Sequence, residues 1–477
     1  MDSSFPETPS RNGDARDLDA MDRREPHCVS WFGLIALLGL VAALYRPVLG
    51  FEFVNWDDPW YVLKNPLITS WHPANLWRIA TEMSVKNYAP LTTLSLLIDH
   101  TIYGFEAGGY HLTNGLLHAV NAVLACLLVT RLTASRSAGL LTAALFAVHP
   151  VQIESVAWVS SRKTLLCSTF MLASGRHWLR SERTGRDELW GTLWLLLALL
   201  AKAAAIVVPP IVLAYDVLVR RKTLAESLPR QLMPGFLCLL LLNVTMSAQA
   251  SEMGGVRGHL ALGKLHILAV DAVIVWKYVG MLAWPGDLSL MYDPPTRGIA
   301  LPVMASLAAW IAVAAGCRQT LRRSPLVAWS VFTWFCLLFP VLNFFPITTL
   351  MNDRYLYLPC LCVFGLAAGG ARRAALLLGE STLLRRMSSA AVVTIVATYS
   401  WMTVCHLPVW NNDFALWNHT FHRVPQLPVV QIQWADALYA EGETERAVAV
   451  LRQTLERGAA DEPDRERVQR RLTDWES

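Results

Sequence analysis

The chain has 477 residues, of which 54% are hydrophobic and 16% charged, with a formal net charge of +4. A soluble domain carries about a quarter charged residues, so this composition excludes an ordinary soluble globular protein. The Arg residues behind the positive balance flank apolar blocks, which marks membrane topology and excludes a nucleic-acid footprint. Most of the nine cysteines lie inside those blocks. They form no CxxC pair, no zinc-spaced cluster and no disulfide framework. No motif calls for a cofactor, and the question of a divalent metal stays open.

Residues 1–29 are polar and mixed in charge, the pattern of a disordered cytoplasmic N-terminus. The block from Trp31 to Leu49 lacks a small-residue cleavage site and reads as a retained first span. Apolar blocks of about 18 residues or more are long enough to cross the hydrocarbon core. They predict an all-α, polytopic membrane helical bundle of about 10–12 segments over residues 30–424. Arg23, Arg131, Arg180, Arg220, Arg318, Arg372 and their neighbours mark the cytoplasmic side. That parse puts four segments outside: the long loop 51–108, His149 to Lys163, Trp284 to Gly298, and Phe345 to Leu358. The last span delivers residues 425–477 to the outside as well. Residues 265–284 break the parity of this scheme and contain Asp271 and Lys277. Either that segment is re-entrant or interfacial, or one span is broken.

Within the first outer loop, Trp56 precedes the acidic pair Asp57-Asp58 and Pro59. A carboxylate there can accept a proton from a hydroxyl nucleophile; alternatively the pair opens the next helix as a capped turn. Pro90 to Tyr103 is apolar but short, which predicts an interfacial segment. His111, Asn114, His118 and Asn121 share one face of the next span and must look into the bundle or a cavity. The alternative is interhelical hydrogen bonding, which is the better reading for Asn121; His111, nearest the outer end, is the better site candidate. His149 and Glu154 end a helix, and Arg162-Lys163 follow on the outer side, against the positive-inside pattern. A phosphate at the membrane surface would explain these two cations; so would a salt bridge with Glu154. Lys202 interrupts an apolar run and needs a partner, a function or an interfacial position. Asn352-Asp353-Arg354-Tyr355 puts another Arg outside, either for ligand binding or as an Asp–Arg helix anchor.

The tail differs in character. Residues 430–440, 444–457 and 463–475 read as amphipathic helices, and Ala435, Leu438, Gly442, Ala447 and Leu451 fit tetratricopeptide-like spacing. Thr454 stands where a small Ala is usual. One such unit cannot bury its face alone, so the extracytoplasmic tail is expected to pack on the membrane domain or on a partner.

Several blocks in this order carry a resemblance: FVNWDDPWYVLKNP, NYAPLTTLSLLIDHTIYG, YHLTNGLLHAVNAVL, HPVQIESVAWVSSRKTLL, the Trp284 to Ser289 segment and NDRYLYLP. Together they resemble the transmembrane-and-tetratricopeptide protein O-mannosyltransferases and their bacterial relatives. That resemblance implies a glycosyltransferase C-like fold, a polyprenyl-phosphate sugar donor and a protein or glycan acceptor, in a bacterial inner membrane. It implies Asp57 as general base, Asp58 orienting it or the sugar, and Arg162, Lys163 and Arg354 as candidates for the lipid phosphate. Trp56, His111, His149, Glu154, Lys202 and Tyr355 are candidates to line the substrate cavity. The chain departs from the pattern in its short tail and in Ala201-Lys202-Ala203, which lacks a following proline. Three functions are thus in view. The first is an inverting, lipid-linked glycosyltransferase acting on the extracytoplasmic face. The second is a non-catalytic assembly protein presenting its helical tail, and the third a transporter or lipid flippase.

Overall fold

A computed structural model of the chain describes residues 29–83, 87–250, 263–343, 349–377, 382–456 and 462–476; the expected disordered N-terminus lies outside them. All regular structure among the described residues is helical. The helices are α1 (Trp31–Tyr45), α2 (Pro73–Thr81), α3 (Pro90–Tyr103), α4 (Ala107–Thr133), α5 (Arg136–Val148), α6 (Ile153–Ala157) and α7 (Arg162–Trp178). Then come α8 (Gly185–Ala201), α9 (Val208–Leu218), α10 (Leu232–Ala250), α11 (Lys264–Ala283), α12 (Ala300–Thr320), α13 (Pro325–Leu338), α14 (Cys360–Leu377) and α15 (Thr382–His406). Beyond the last long apolar stretch, which ends at Trp410, the C-terminal part starts ahead of the expected tail 425–477: this tail region runs from Asn411 and contains α16 (Asp413–Arg423), α17 (Pro428–Ala440), α18 (Thr444–Glu456) and α19 (Glu462–Glu476).

Among the described residues, seven helices are long and apolar enough to cross a membrane. The bent pair α5–α6, counted as one span, makes eight, and two shorter apolar helices, Ala203–Leu218 and Pro325–Val341, lie beside them. The protein is an integral, multi-pass membrane protein.

Helix breaks set the site. The pair Arg136–Val148 and Pro150–Ala157 is bent by 60°. Pro150 has no N–H and cannot continue the ladder of α5; the His149 ring takes over by accepting from Val151 N at 3.2 Å. A second break falls at Lys202, whose backbone is extended (φ −163°, ψ 131°) between α8 and a 3₁₀ turn. The segment that breaks the parity, residues 265–284, forms one continuous helix, α11. Its Asp271 is compensated by two hydrogen bonds from Asn343, from N at 3.0 Å and Nδ2 at 2.6 Å. Near its other end Leu282 O accepts from His149 Nε2, and Tyr278 Oη accepts from Asn352 N. The C-terminal half of α11 therefore meets His149 and Asn352, which belong to segments expected on the outer side.

The α4–α5 hairpin packs closely at Gly139. A Cβ at Gly139 would lie 2.7 Å from the Cys126 carbonyl oxygen and closer still to the Thr130 hydroxyl. Overpacking of this kind costs about 1–3 kcal/mol. Gly139→Ala is therefore expected to lower the thermal midpoint of the detergent-solubilised protein; an unchanged midpoint would refute this close approach.

The tail does not stand apart. One buried apolar cluster runs from Leu37 and Val54 through Trp158 and Tyr357 to Trp417, Leu438, Leu451 and Val468. Gly442 turns α17 into α18 with a φ of +82°, a conformation glycine adopts without steric penalty. Ala435, Leu438, Ala447 and Leu451 are buried along the hairpin, and Thr454 satisfies its hydroxyl on Val450 O at 2.8 Å.

Candidate active site

The first outer loop folds back onto the bundle through Asp58. Its fully buried carboxylate accepts from Val54 N at 3.1 Å, from Ser160 N at 2.9 Å and from the Ser160 hydroxyl. Asp58 does not cap the following turn; it staples the loop to the segment ahead of α7. Burial pushes its carboxyl up to about 7, against those hydrogen bonds. The folded state binds this proton more tightly than the unfolded chain does. This group's contribution to stability therefore falls as pH rises from about 4 to 7. Asp58→Asn is expected to remove that slope from the pH dependence of thermal unfolding; an unchanged slope would show that Asp58 does not titrate there.

Asp57 is turned the other way. Its side chain is 32% exposed, and its carboxylate lies 3.9 Å from Lys163 Nζ. Only its backbone carbonyl serves the turn, accepting from Trp60 N and Tyr61 N at 3.0 Å each. Lys163 also donates to Tyr61 Oη at 3.1 Å, with its ammonium 4.6 Å from the centre of the Tyr61 ring.

Arg354 completes the cationic side. Its Nη1 pairs with buried Glu154, whose other oxygen accepts Arg354 N at 2.7 Å. Its guanidinium lies 5.1 Å from the Trp158 ring and 5.2 Å from the Tyr355 ring. Nε and Nη2 have no acceptor among the described residues. Burial works against this charge, yet Glu154, Tyr355 and Asp57 leave it held above its ordinary value. Lys202 Nζ donates to Thr164 Oγ1 at 3.1 Å and lies within electrostatic range of Lys163, Arg354 and Glu154. Asp57, Glu154, Lys163, Lys202 and Arg354 thus form one charged neighbourhood, with Tyr355 on its edge.

Other candidates sit elsewhere. Arg162 is fully buried and bonds Asn114 Oδ1 at 2.6 Å, Ser95 Oγ at 2.7 Å, Asp99 Oδ2 at 2.6 Å and Tyr110 O at 3.0 Å. With four of its five N–H groups taken inside the protein, it locks α3, α4 and α7 together. The expectation that it meets a phosphate is corrected. Pro90 to Tyr103 is likewise more than an interfacial segment: Leu96 and Leu97 are buried, and Thr92 donates to Ala201 O at 3.0 Å. His149 is also a structural residue, since both ring nitrogens are bonded, to Val151 N and Leu282 O. Trp56 packs edge-on against Trp417 at 5.6 Å, on the tail side of the loop. His111 is buried; its Nε2 lies 3.4 Å from Glu52 O, and its Nδ1 has no partner among the described residues. Asn114, His118 and Asn121 bond the carbonyls of Trp158, Ala147 and Leu165 and the Tyr357 hydroxyl. Glu154 pairs with Arg354 and not with Arg162 or Lys163.

One pair has no forerunner among the sequence motifs. Tyr292 donates to buried Asp353, which therefore does not anchor Arg354 as an Asp–Arg pair. Burial and the neighbouring Glu154 hold the Asp353 carboxyl well above its ordinary value. Asn352 Nδ2 donates to Leu290 O at 2.8 Å, so Leu290 and Tyr292 hold the two residues that precede Arg354. The only hint was that Trp284 to Ser289 and the NDRY segment were both assigned to the outer side. No group of three or more His, Cys, Asp or Glu among the described residues is placed to hold a metal ion.

No family model matches the chain. It is 33% identical over 176 residues to the protein O-mannosyl-transferase TMTC3 of Mus musculus, covering 35% of this chain and 19% of that protein. It is 34% identical over 179 residues to TMTC4 of Homo sapiens (32% and 24%) and 35% identical over 188 residues to Tmtc1 of Drosophila melanogaster (36% and 21%). Over that stretch the chain is similar to the protein O-mannosyl-transferases TMTC3, TMTC4 and Tmtc1. The matched stretch covers about a fifth to a quarter of each of these curated relatives. Two solved structures overlap the backbone more loosely. The Archaeoglobus fulgidus oligosaccharyltransferase tethered to an acceptor peptide gives a TM-score of 0.45 at 13% identity, covering 88% of this chain and 59% of that one. ArnT from Cupriavidus metallidurans bound to undecaprenyl phosphate gives 0.39 at 13% identity, covering 89% and 75%.

Proposed function

We propose that this relative of the O-mannosyltransferases is an inverting glycosyltransferase that moves a hexose, mannose first among candidates, from a polyprenyl phosphate to a hydroxyl acceptor on the extracytoplasmic face. The observation that carries the reading is the exposed Asp57 carboxylate facing Lys163, with Arg354 in electrostatic range. Asp57 takes the proton of the acceptor hydroxyl while its oxygen forms the new bond to the anomeric carbon. The bond from that carbon to the phosphate oxygen breaks, and its electron pair leaves with the polyprenyl phosphate. Lys163 and the open edge of Arg354 stabilise the charge that develops on the leaving phosphate, as fixed cations do in a site from which water is excluded. Lys202 adds a further positive charge from the break between α8 and α9. Glu154, Trp158 and Asp353 hold the Arg354 side of the site in place.

The purified chain in lipid nanodiscs, given a polyprenyl-phosphate mannose and a hydroxyl-bearing peptide, is expected to release polyprenyl phosphate in step with sugar transfer. No transfer from mannose or other hexose donors would contradict this, and so would a cellular role that deletion of residues 425–477 abolishes but Asp57→Asn leaves intact. That pair of results would make the chain an assembly protein.

A further inference from the structure

The tail meets the loop of Asp57 directly. Four contacts join them within five residues of the loop, Glu52 to Trp56. Glu52 N donates to Asn411 O at 2.9 Å, and the Asp413 carboxylate accepts Asn55 N. Asn55 Nδ2 lies 3.4 Å from Gln433 Oε1, and Trp56 packs on the fully buried ring of Trp417 at 5.6 Å. Asp413 opens α16, where an acidic side chain is also favoured by the helix dipole, and Asn412 caps that helix by accepting Ala415 N at 2.9 Å. On the far side Asp58 ties the same loop to Ser160. Asn55 and Trp56, gripped by the tail, and Asp58, gripped by the bundle, bracket Asp57.

We infer that Asp413 and Trp417 of the tail are positioning residues for Asp57: the helical tail clamps one side of the catalytic loop and sets where the base stands. This rests on the glycosyltransferase reading for its catalytic consequence, while the clamp itself is independent of it. A carboxylate bonded to a backbone N–H fixes that peptide plane, and general-base catalysis loses about 10²-fold for a misplacement near 1 Å. Burial, with Glu52 and Asp436 nearby, pushes the Asp413 carboxyl up to about 6. Its ionised form is therefore held in place by the Asn55 bond against a desolvation penalty.

The test uses the full-length chain in nanodiscs and two substitutions. Asp413→Ala removes the acceptor of Asn55 N–H; Asp413→Asn keeps an acceptor oxygen. Asp413→Ala is expected to raise deuterium uptake across residues 51–63 while uptake in α4 stays at the wild-type level. It is also expected to lower kcat for mannosyl transfer about 10- to 100-fold with the KM for polyprenyl-phosphate mannose unchanged, and Asp413→Asn to restore most of both. Wild-type uptake in residues 51–63 of Asp413→Ala would overturn the clamp. Raised uptake with wild-type kcat would overturn the positioning role. If the wild-type chain transfers no sugar, the glycosyltransferase reading falls, and the exchange data still decide whether the tail clamps the loop.

Discussion

Asp57→Asn is expected to lower sugar transfer by about 10²–10⁴-fold, the range for loss of a general acid or base, while leaving the fold intact. The two halves of this expectation come from the same geometry. The Asp57 carboxylate is partly exposed, and among the described residues the one cation paired with it is Lys163, at 3.9 Å. Pairs this exposed contribute about 0–1 kcal/mol. Its structural contribution runs through the backbone carbonyl, which the substitution does not touch. Asp58→Asn should behave in the opposite way. An amide cannot accept from Val54 N, Ser160 N and the Ser160 hydroxyl without turning its NH₂ toward a donor. A loss of folding stability is expected there alongside any loss of transfer. Melting curves and single-turnover transfer assays on both variants separate the two residues. Full transfer by Asp57→Asn would remove it as the base.

Arg162 and Lys163 are neighbours in sequence and are expected to fail in different ways. Arg162→Ala leaves the buried Asp99 carboxylate without its cation, a change that costs about 3–5 kcal/mol in comparable buried pairs. The double substitution Arg162→Met with Asp99→Leu removes both charges and should recover much of that loss. Lys163→Ala is expected to fold normally but to raise the KM for a polyprenyl-phosphate donor, or lower kcat/KM, about 10- to 100-fold, the worth of one charge-assisted hydrogen bond. Thermal unfolding and donor titrations on the two single variants decide this. A stable Arg162→Ala protein with a weakened donor KM would return Arg162 to the phosphate.

These neighbours also show what the sequence could not disclose. Apolar length and Arg clusters reveal a membrane bundle, because the bilayer imposes both. The tail helices start and stop where their periodicity does, with Gly442 marking the turn. Rotation about a helix axis is another matter. Side chains at adjacent positions of a helix point about 100° apart, so one of Arg162 and Lys163 had to face inward. Nothing local said which one: the choice is made by Asp99, Asn114 and Ser95, which come from two other helices. The same holds for Glu154. Arg162 and Lys163 were its near partners in sequence, but the Pro150 bend aims it at Arg354, 200 residues away. Asp58 could be read as a turn residue or as one of a catalytic pair; its partner, Ser160, became visible only once the loop was folded back.

A lipid-linked sugar is expected to sit between Asp57 and the cations Lys163 and Arg354. The most direct test is a structure of the chain, in its Asp57→Asn form, with a polyprenyl-phosphate sugar bound. The phosphate is expected within hydrogen-bond distance of Lys163 Nζ and of Arg354 Nε or Nη2, with the anomeric carbon facing residue 57. A phosphate bound away from both cations, or a sugar beyond the reach of residue 57, would remove Asp57, Lys163 and Arg354 from the catalytic site.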